Sequence, residues 1–234
     1  MSLLTPLSAG EGRDAVALAQ VLLALGGVCA LVYWVGYCYR AESVVRSFVK
    51  TASVTCLALA GWVAGGDWPL IAALGFCALG DFALSRDSAR LFLLGVGAFA
   101  LGHLCYIATF LTHPSADMSR LGAQPRLTAV IGLGLVGLGM AVLLYRTAGA
   151  LRFAVVAYVP VIVAMGCAAL VLPASGVLVL AFFGAFLFIL SDFVLSLELF
   201  VLTAANPLRR LTPFAVWGTY WGAQALLLTG LVAG

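Results

Sequence analysis

The chain has 234 residues, 64% of them hydrophobic and only 9% charged, with a formal net charge of +3. A soluble domain carries about 25% charged residues, so most of this chain has no face to offer to water and it reads as an integral membrane protein. Its basic residues sit singly or in pairs between apolar stretches, which gives no footing for nucleic acid. The six cysteines (Cys29, Cys38, Cys56, Cys77, Cys105, Cys167) form no C-x-x-C, so neither a disulfide framework nor a thiolate zinc site is indicated.

A bilayer core of about 30 Å takes about 20 apolar residues per helix. On that rule one all-α transmembrane domain over 1–234 is predicted, a polytopic bundle of about eight spans at 15–37, 48–65, 68–85, 90–111, 127–145, 152–171, 175–197 and 213–233. The first run is too long for the apolar stretch of a signal peptide, and Arg13 before it stands between Glu11 and Asp14 rather than in a basic cluster. Lys50 is expected to open span 2. Asp67-Trp68-Pro69 and Pro173-Ala174-Ser175-Gly176 carry turn chemistry at the tight links before spans 3 and 7.

Span 3 ends on GFCALGDFALS (Gly75–Ser85) and span 7 on FLFILSDFVLS (Phe186–Ser196), nearly the same phrase with one aspartate each, Asp81 and Asp192. Span 4 places His103 and Tyr106 on one face, span 6 holds Tyr158, and span 8 places Tyr220 and Gln224 on one face at i, i+4. GLGLVG in span 5 and GVGAFA in span 4 mimic a dinucleotide fingerprint. That fingerprint needs a strand and a βαβ unit, whereas small residues in a membrane span let helices pack closely.

The loops after spans 1, 3, 5 and 7 hold Arg40, Arg46, Arg86, Arg90, Arg146, Arg152, Arg209 and Arg210, against Arg13, Arg120 and Arg126 on the other side. The positive-inside rule then puts both termini outside and the arginine-rich loops in the cytoplasm, as expected of a bacterial inner-membrane protein. Spans 3 and 7 both run inward, so the two aspartates lie at similar depth toward the cytoplasmic leaflet, Asp81 about 7.5 Å before Arg86 at 1.5 Å per residue. Repeats of the same direction suggest two four-helix halves.

An aspartate in a membrane helix costs about 2.5–3.5 kcal/mol on insertion scales and is by default a functional hypothesis. The plainer reading makes each a structural hydrogen-bonder, Lys50 a snorkelling anchor, the tyrosines interfacial aromatics and His103 a satisfied bundle histidine. Their common bias toward one leaflet favours a shared polar chamber. Ser85 and Ser196, four residues after the aspartates, carry little weight, since a serine in a membrane helix usually bonds its own i−4 carbonyl.

With G-D-x-x-L in span 3, S-D-x-x-L in span 7 and H-x-x-Y in span 4, the chain resembles the YhhN-like family, which includes the lysoplasmalogenases. Lys50, Ala157-Tyr158 before Met165, and Thr219-Tyr220-x-x-Ala223-Gln224 continue the match from about residue 45 to the end. Lys50 is followed by Thr-Ala-Ser where many relatives have a proline. The resemblance implies hydrolysis of the vinyl ether of 1-alkenyl-glycerophospho-choline or -ethanolamine to a fatty aldehyde and the glycerophospho-headgroup. It makes Asp81 and Asp192 the catalytic acids, with no cofactor or metal. The partners implied are a lysophospholipid substrate and membrane lipids, with no nucleic acid and no protein partner.

The chemistry suits the residues. Vinyl ether cleavage needs one protonated carboxyl and one charged carboxylate, as in glycosidases, and two acids in a low-dielectric site disfavour double charge. Lys50 is placed at the substrate phosphate, with His103, Tyr106, Tyr158, Tyr220 and Gln224 positioning water and glycerol. Three rivals remain: a proton-coupled transporter or lipid translocator, a metal-dependent hydrolase using Asp81, Asp192 and His103, and a non-catalytic scaffold.

Overall fold

The computed structural model describes residues 9–233, so the ends of the expected domain, 1–8 and 234, lie outside the described residues. Among these, eight α-helices form and no strand: α1 (Ala9–Gly36), α2 (Val44–Val63), α3 (Trp68–Leu84), α4 (Ala89–Thr112), α5 (Arg126–Thr147), α6 (Arg152–Ala169), α7 (Leu178–Phe200) and α8 (Thr212–Val232). In hydrocarbon a helix satisfies every backbone group within itself, which is why each long apolar run becomes one helix. Six of the eight are long and apolar enough to cross a membrane. Of the others, α3 has 17 residues, and α8 has 21 and carries Thr, Gly, Tyr and Gln among its apolar residues. The protein is a multi-pass membrane helix bundle.

The helix ends follow local chemistry. Ser43 and Ser88 cap α2 and α4 by accepting the backbone N–H of Arg46 and Leu91. Pro69 and Pro213 stand in the first turns of α3 and α8. Gly65, at φ +79°, makes the tight turn between α2 and α3. The Ser43 cap starts α2 at Val44 rather than 48. Lys50 therefore does not open its helix but sits about 9 Å along it, at 1.5 Å per residue.

Pairing repeats between the halves. α3 packs on α4 as α7 packs on α8, α1 packs on α2 as α5 packs on α6, and the last helix of each half meets the second helix of the other, α4 on α6 and α8 on α2. Glycines set the close pairs. A Cβ on Gly102 of α4 would stand 2.9 Å from Cys77 Sγ and 3.2 Å from the Ala73 carbonyl of α3. One on Gly184 of α7 would stand 3.0 Å from the Ala223 carbonyl of α8. By contrast α6 and α7, though consecutive, pack on each other sparingly, and α5 barely meets α7.

Polar ties lock the two ends. At the arginine-rich end, Glu42 binds the Arg86 guanidinium at 3.2 Å and the Asp87 N–H at 2.7 Å, which holds its carboxyl below the usual range. Arg46, inside α2, donates to the carbonyls of Tyr37 and Ser85, each at 3.3 Å, and to the Tyr33 hydroxyl. At the opposite end Arg120 and Arg126 donate to the Val171 and Leu170 carbonyls, each at 2.6 Å, closing the C-terminal end of α6.

Candidate active site

A cavity of about 280 Å³ opens between the two halves toward the arginine-rich end, and both aspartates line it. The repeated phrase delivers them from equivalent places, Asp81 near the end of α3 and Asp192 near the end of α7. Their surroundings differ.

Asp81 is buried and fully held. Lys50 Nζ lies 3.0 Å from Oδ1, and the Tyr220 hydroxyl donates to Oδ2 at 2.8 Å. The ammonium also lies over aromatic faces, 5.8 Å from the Trp217 ring centre and 6.0 Å from that of Tyr33. Trp217 is fixed in turn by donating its indole N–H to the Ala30 carbonyl of α1 at 2.9 Å. This half of the site is thus an ion pair in an aromatic cradle.

Among the described residues, no Lys or Arg pairs with Asp192. The Tyr158 hydroxyl donates to Oδ2 at 2.9 Å, and His103 Nε2 stands 3.5 Å from the same oxygen. His103 Nδ1 lies 2.8 Å from the Phe99 carbonyl oxygen. That oxygen can only accept, so Nδ1 carries a proton, and in the neutral tautomer of the ring Nε2 then offers a lone pair. Nε2 has no hydrogen-bond partner among the described residues. In that tautomer the Nε2 lone pair faces Oδ2, an arrangement suited to a carboxyl that carries its own proton.

Of the residues picked from sequence, Asp81, Asp192, Lys50, Tyr158 and Tyr220 line the cavity, while His103, Tyr106 and Gln224 do not. His103 is fully buried behind Asp192 and Tyr158. Tyr106 donates to Gln224 Oε1 across α4 and α8, and its ring packs near Phe110 and Phe188, so this pair braces the wall. Ser85 binds the Phe82 carbonyl and the Ser47 hydroxyl rather than Asp81. Ser196 faces the cavity.

Sequence reasoning missed Tyr33, Arg46, Trp217 and Glu198, all lining the cavity. The first three read as ordinary interfacial or loop residues until α1, α2 and α8 come together. Glu198 follows Asp192 by six residues, and its buried Oε2 has no hydrogen-bond partner among the described residues. Cys38 also lines the mouth, and burial pushes its thiol up to about 11 despite the nearby charges of Lys50 and Arg46. A raised pKa disfavours the thiolate that a cysteine nucleophile requires. Among the described residues no three of His, Cys, Asp and Glu come together in a metal-holding group.

The family model described as the YhhN family matches residues 45–231 of this chain. Lysoplasmalogenase TMEM86B of Rattus norvegicus is 32% identical over 203 residues, covering 85% of this chain and 78% of the relative. No solved structure matches.

Proposed function

Because the chain belongs to the YhhN family, we propose that it is a lysoplasmalogenase-like hydrolase that cleaves the vinyl ether of 1-alkenyl-glycerophospholipids by two-aspartate catalysis. The observation that carries this reading is one cavity lined by two aspartates of different surroundings, Asp81 paired with Lys50 and Asp192 beside Tyr158 and His103 with no Lys or Arg partner among the described residues. Asp192 donates a proton to the alkenyl carbon β to the ether oxygen, which leaves an oxocarbenium ion across the α-carbon and oxygen. Asp81, held ionised by Lys50 and Tyr220, stabilises that cation. Water attacks the α-carbon while Asp192, now a carboxylate, takes its proton, an acid that turns base as in retaining glycosidases. The hemiacetal collapses to a fatty aldehyde and the free glycerol hydroxyl.

Binding roles follow from charge. Lys50 is committed to Asp81 at 3.0 Å, so the substrate phosphate falls to Arg46, two of whose five N–H groups remain after its bonds to Tyr37, Ser85 and Tyr33. Glu198, which lines the same cavity, suits the ammonium of an ethanolamine or choline headgroup. His103 acts through Asp192, and Tyr106 with Gln224 through the wall. The positive-inside bias places this mouth in the cytoplasmic leaflet.

The test is aldehyde release from 1-alkenyl-lysophospholipid by the purified protein in detergent, with Asp81→Asn and Asp192→Asn alongside, each with and without chelator. Release that either substitution abolishes and chelator spares is expected. A folded wild-type protein that releases no aldehyde sinks the reading and promotes the proton-coupled transporter or lipid translocator. Loss of activity in chelator promotes a metal-dependent hydrolase.

A further inference from the structure

A cavity of about 280 Å³ falls just below the roughly 300–1,000 Å³ that small-molecule sites occupy. It has room for a glycerophosphate and the ether end of a substrate but not for a long hydrocarbon chain. Its arginine-rich end carries Arg46 and Glu198 among apolar side chains such as Leu199, Phe200 and Pro213, and these charges suit a polar headgroup better than methylenes. With the headgroup there, the chain takes another way out.

The bundle offers such a way. A second, narrower groove of about 50 Å³ runs between α5, α6 and α7, walled by Leu133, Val136, Met140, Val163, Ile189 and Phe193. It is polar only at its inner end, where Asp192 and Ser196 line it. Both of these, together with Leu144, Val159 and Ile162, also line the main cavity, so the two spaces meet at Asp192 and not at Asp81. The groove exists because α6 and α7 pack sparingly and α5 hardly touches α7. On α5, Val136 is exposed on the outer surface, so the groove opens sideways, toward lipid.

Resting on the function proposed above, we propose that the substrate's single hydrocarbon chain enters laterally from the bilayer through the α5–α6–α7 groove, which holds its first methylenes and presents the ether end to Asp192. The remaining chain then lies along the outer face of α5. The order along the substrate becomes chain, alkenyl carbons, ether oxygen, glycerol, phosphate. The order along the site is groove, Asp192, Asp81, Arg46. The carbon that must accept the proton is on the chain side of the oxygen, and so is Asp192. Polarity and geometry give the two aspartates the same division of labour that their partners give them.

The test uses a lipid that the proposed reaction cannot turn over. A 1-alkyl-glycerophosphocholine, with a saturated ether and a photoactivatable diazirine a few carbons from the oxygen, is bound to the wild-type protein and irradiated, and the labelled peptides are mapped. Label on residues 133–140, 159–163 and 189–196 is expected. Met140→Phe and Ile189→Phe, on separate helices so that one misfolded variant leaves the other, should each reduce it by several-fold. Leu104→Phe, on the exposed face of α4, should leave it unchanged. Label confined to the α1–α8 side, no label at all, or equal labelling in all three variants would overturn the proposal. If the groove is labelled while no aldehyde is released from the alkenyl lipid, the chain site stands and the reaction falls. If aldehyde is released while the label lies elsewhere, the reaction stands and the chain site falls.

Discussion

The two copies of the aspartate phrase begin as near-duplicates in sequence and end as opposites in space. In the first, Asp81 is 1% exposed and locked between an ammonium and a phenol; in the second, Asp192 is 11% exposed and faces a phenol and an imidazole. The difference comes from the flanking positions. Gly80 precedes Asp81 because the Phe99 ring lies where a Cβ would be, 2.6 Å away. The matching Ser191 has room for a hydroxyl, which binds the Phe188 carbonyl at 2.7 Å. Four residues on, Ser85 is tied to α2, whereas Ser196 faces the cavity. The repeated phrase supplies two carboxylates from equivalent places near the ends of α3 and α7, and the helices packed around them pair one with an ammonium and leave the other without a Lys or Arg partner among the described residues.

That contrast can be broken by substitution. The largest effect is expected from Asp192→Asn, which removes the acid. Aldehyde turnover should fall about 10²–10⁴-fold with little change in detergent melting temperature, because no charged partner is stranded. Asp81→Asn should lower turnover and stability together, since Lys50 is left without its anion. Next comes Lys50→Met, which leaves a buried carboxylate unpaired at a cost of about 3–5 kcal/mol. The double variant with Asp81→Asn should recover part of that loss in denaturant unfolding. If the single and double variants melt alike, the ion pair is not the basis of the difference.

Smaller effects sharpen it further. Tyr220→Phe removes a hydrogen bond to a charged acceptor and should cost about 1.5–3 kcal/mol, against about 0.5–1.5 for Tyr158→Phe, read as shifts in unfolding midpoint. Gly80→Ala should destabilise by about 1–3 kcal/mol through overpacking against Phe99, whereas Ser191→Ala should be milder. The smallest effect concerns the loops beyond the copies. Hydrogen bonding to Asp87 and pairing with Arg86 lower the folded Glu42 pKa, so its contribution is present above the unfolded Glu value of about 4.3 and fades as pH falls through the lower folded one. Glu42→Gln should flatten that acid limb in a melting series without touching turnover at neutral pH.

Much of this is legible in the sequence. Eight apolar runs of membrane length become eight helices, and a phrase used twice marks the two carboxylates. Tyr158 and Tyr220 also reach the cavity, one beside each aspartate. What cannot be read there is which face each helix turns inward and how deep each residue lies. Tyr220 and Gln224 share a face of α8, yet one turn separates cavity from wall, so Gln224 meets Tyr106 instead of the site. Lys50 reads as the start of a helix because Arg46 before it reads as loop. The Ser43 cap moves the start and carries Lys50 inward to Asp81. Tyr33 and Trp217 carry no signal of their own, since an aromatic near the end of a span is commonplace.

The Lys50–Asp81 pair has one further consequence. A primary amine beside a newly released aldehyde is a hazard, because its lone pair adds to the carbonyl and, with loss of water, forms an imine. An ammonium pressed against a carboxylate at 3.0 Å has no lone pair to offer, so under the proposed reaction the contact that fixes Asp81 would also spare the protein from modification by the aldehyde released.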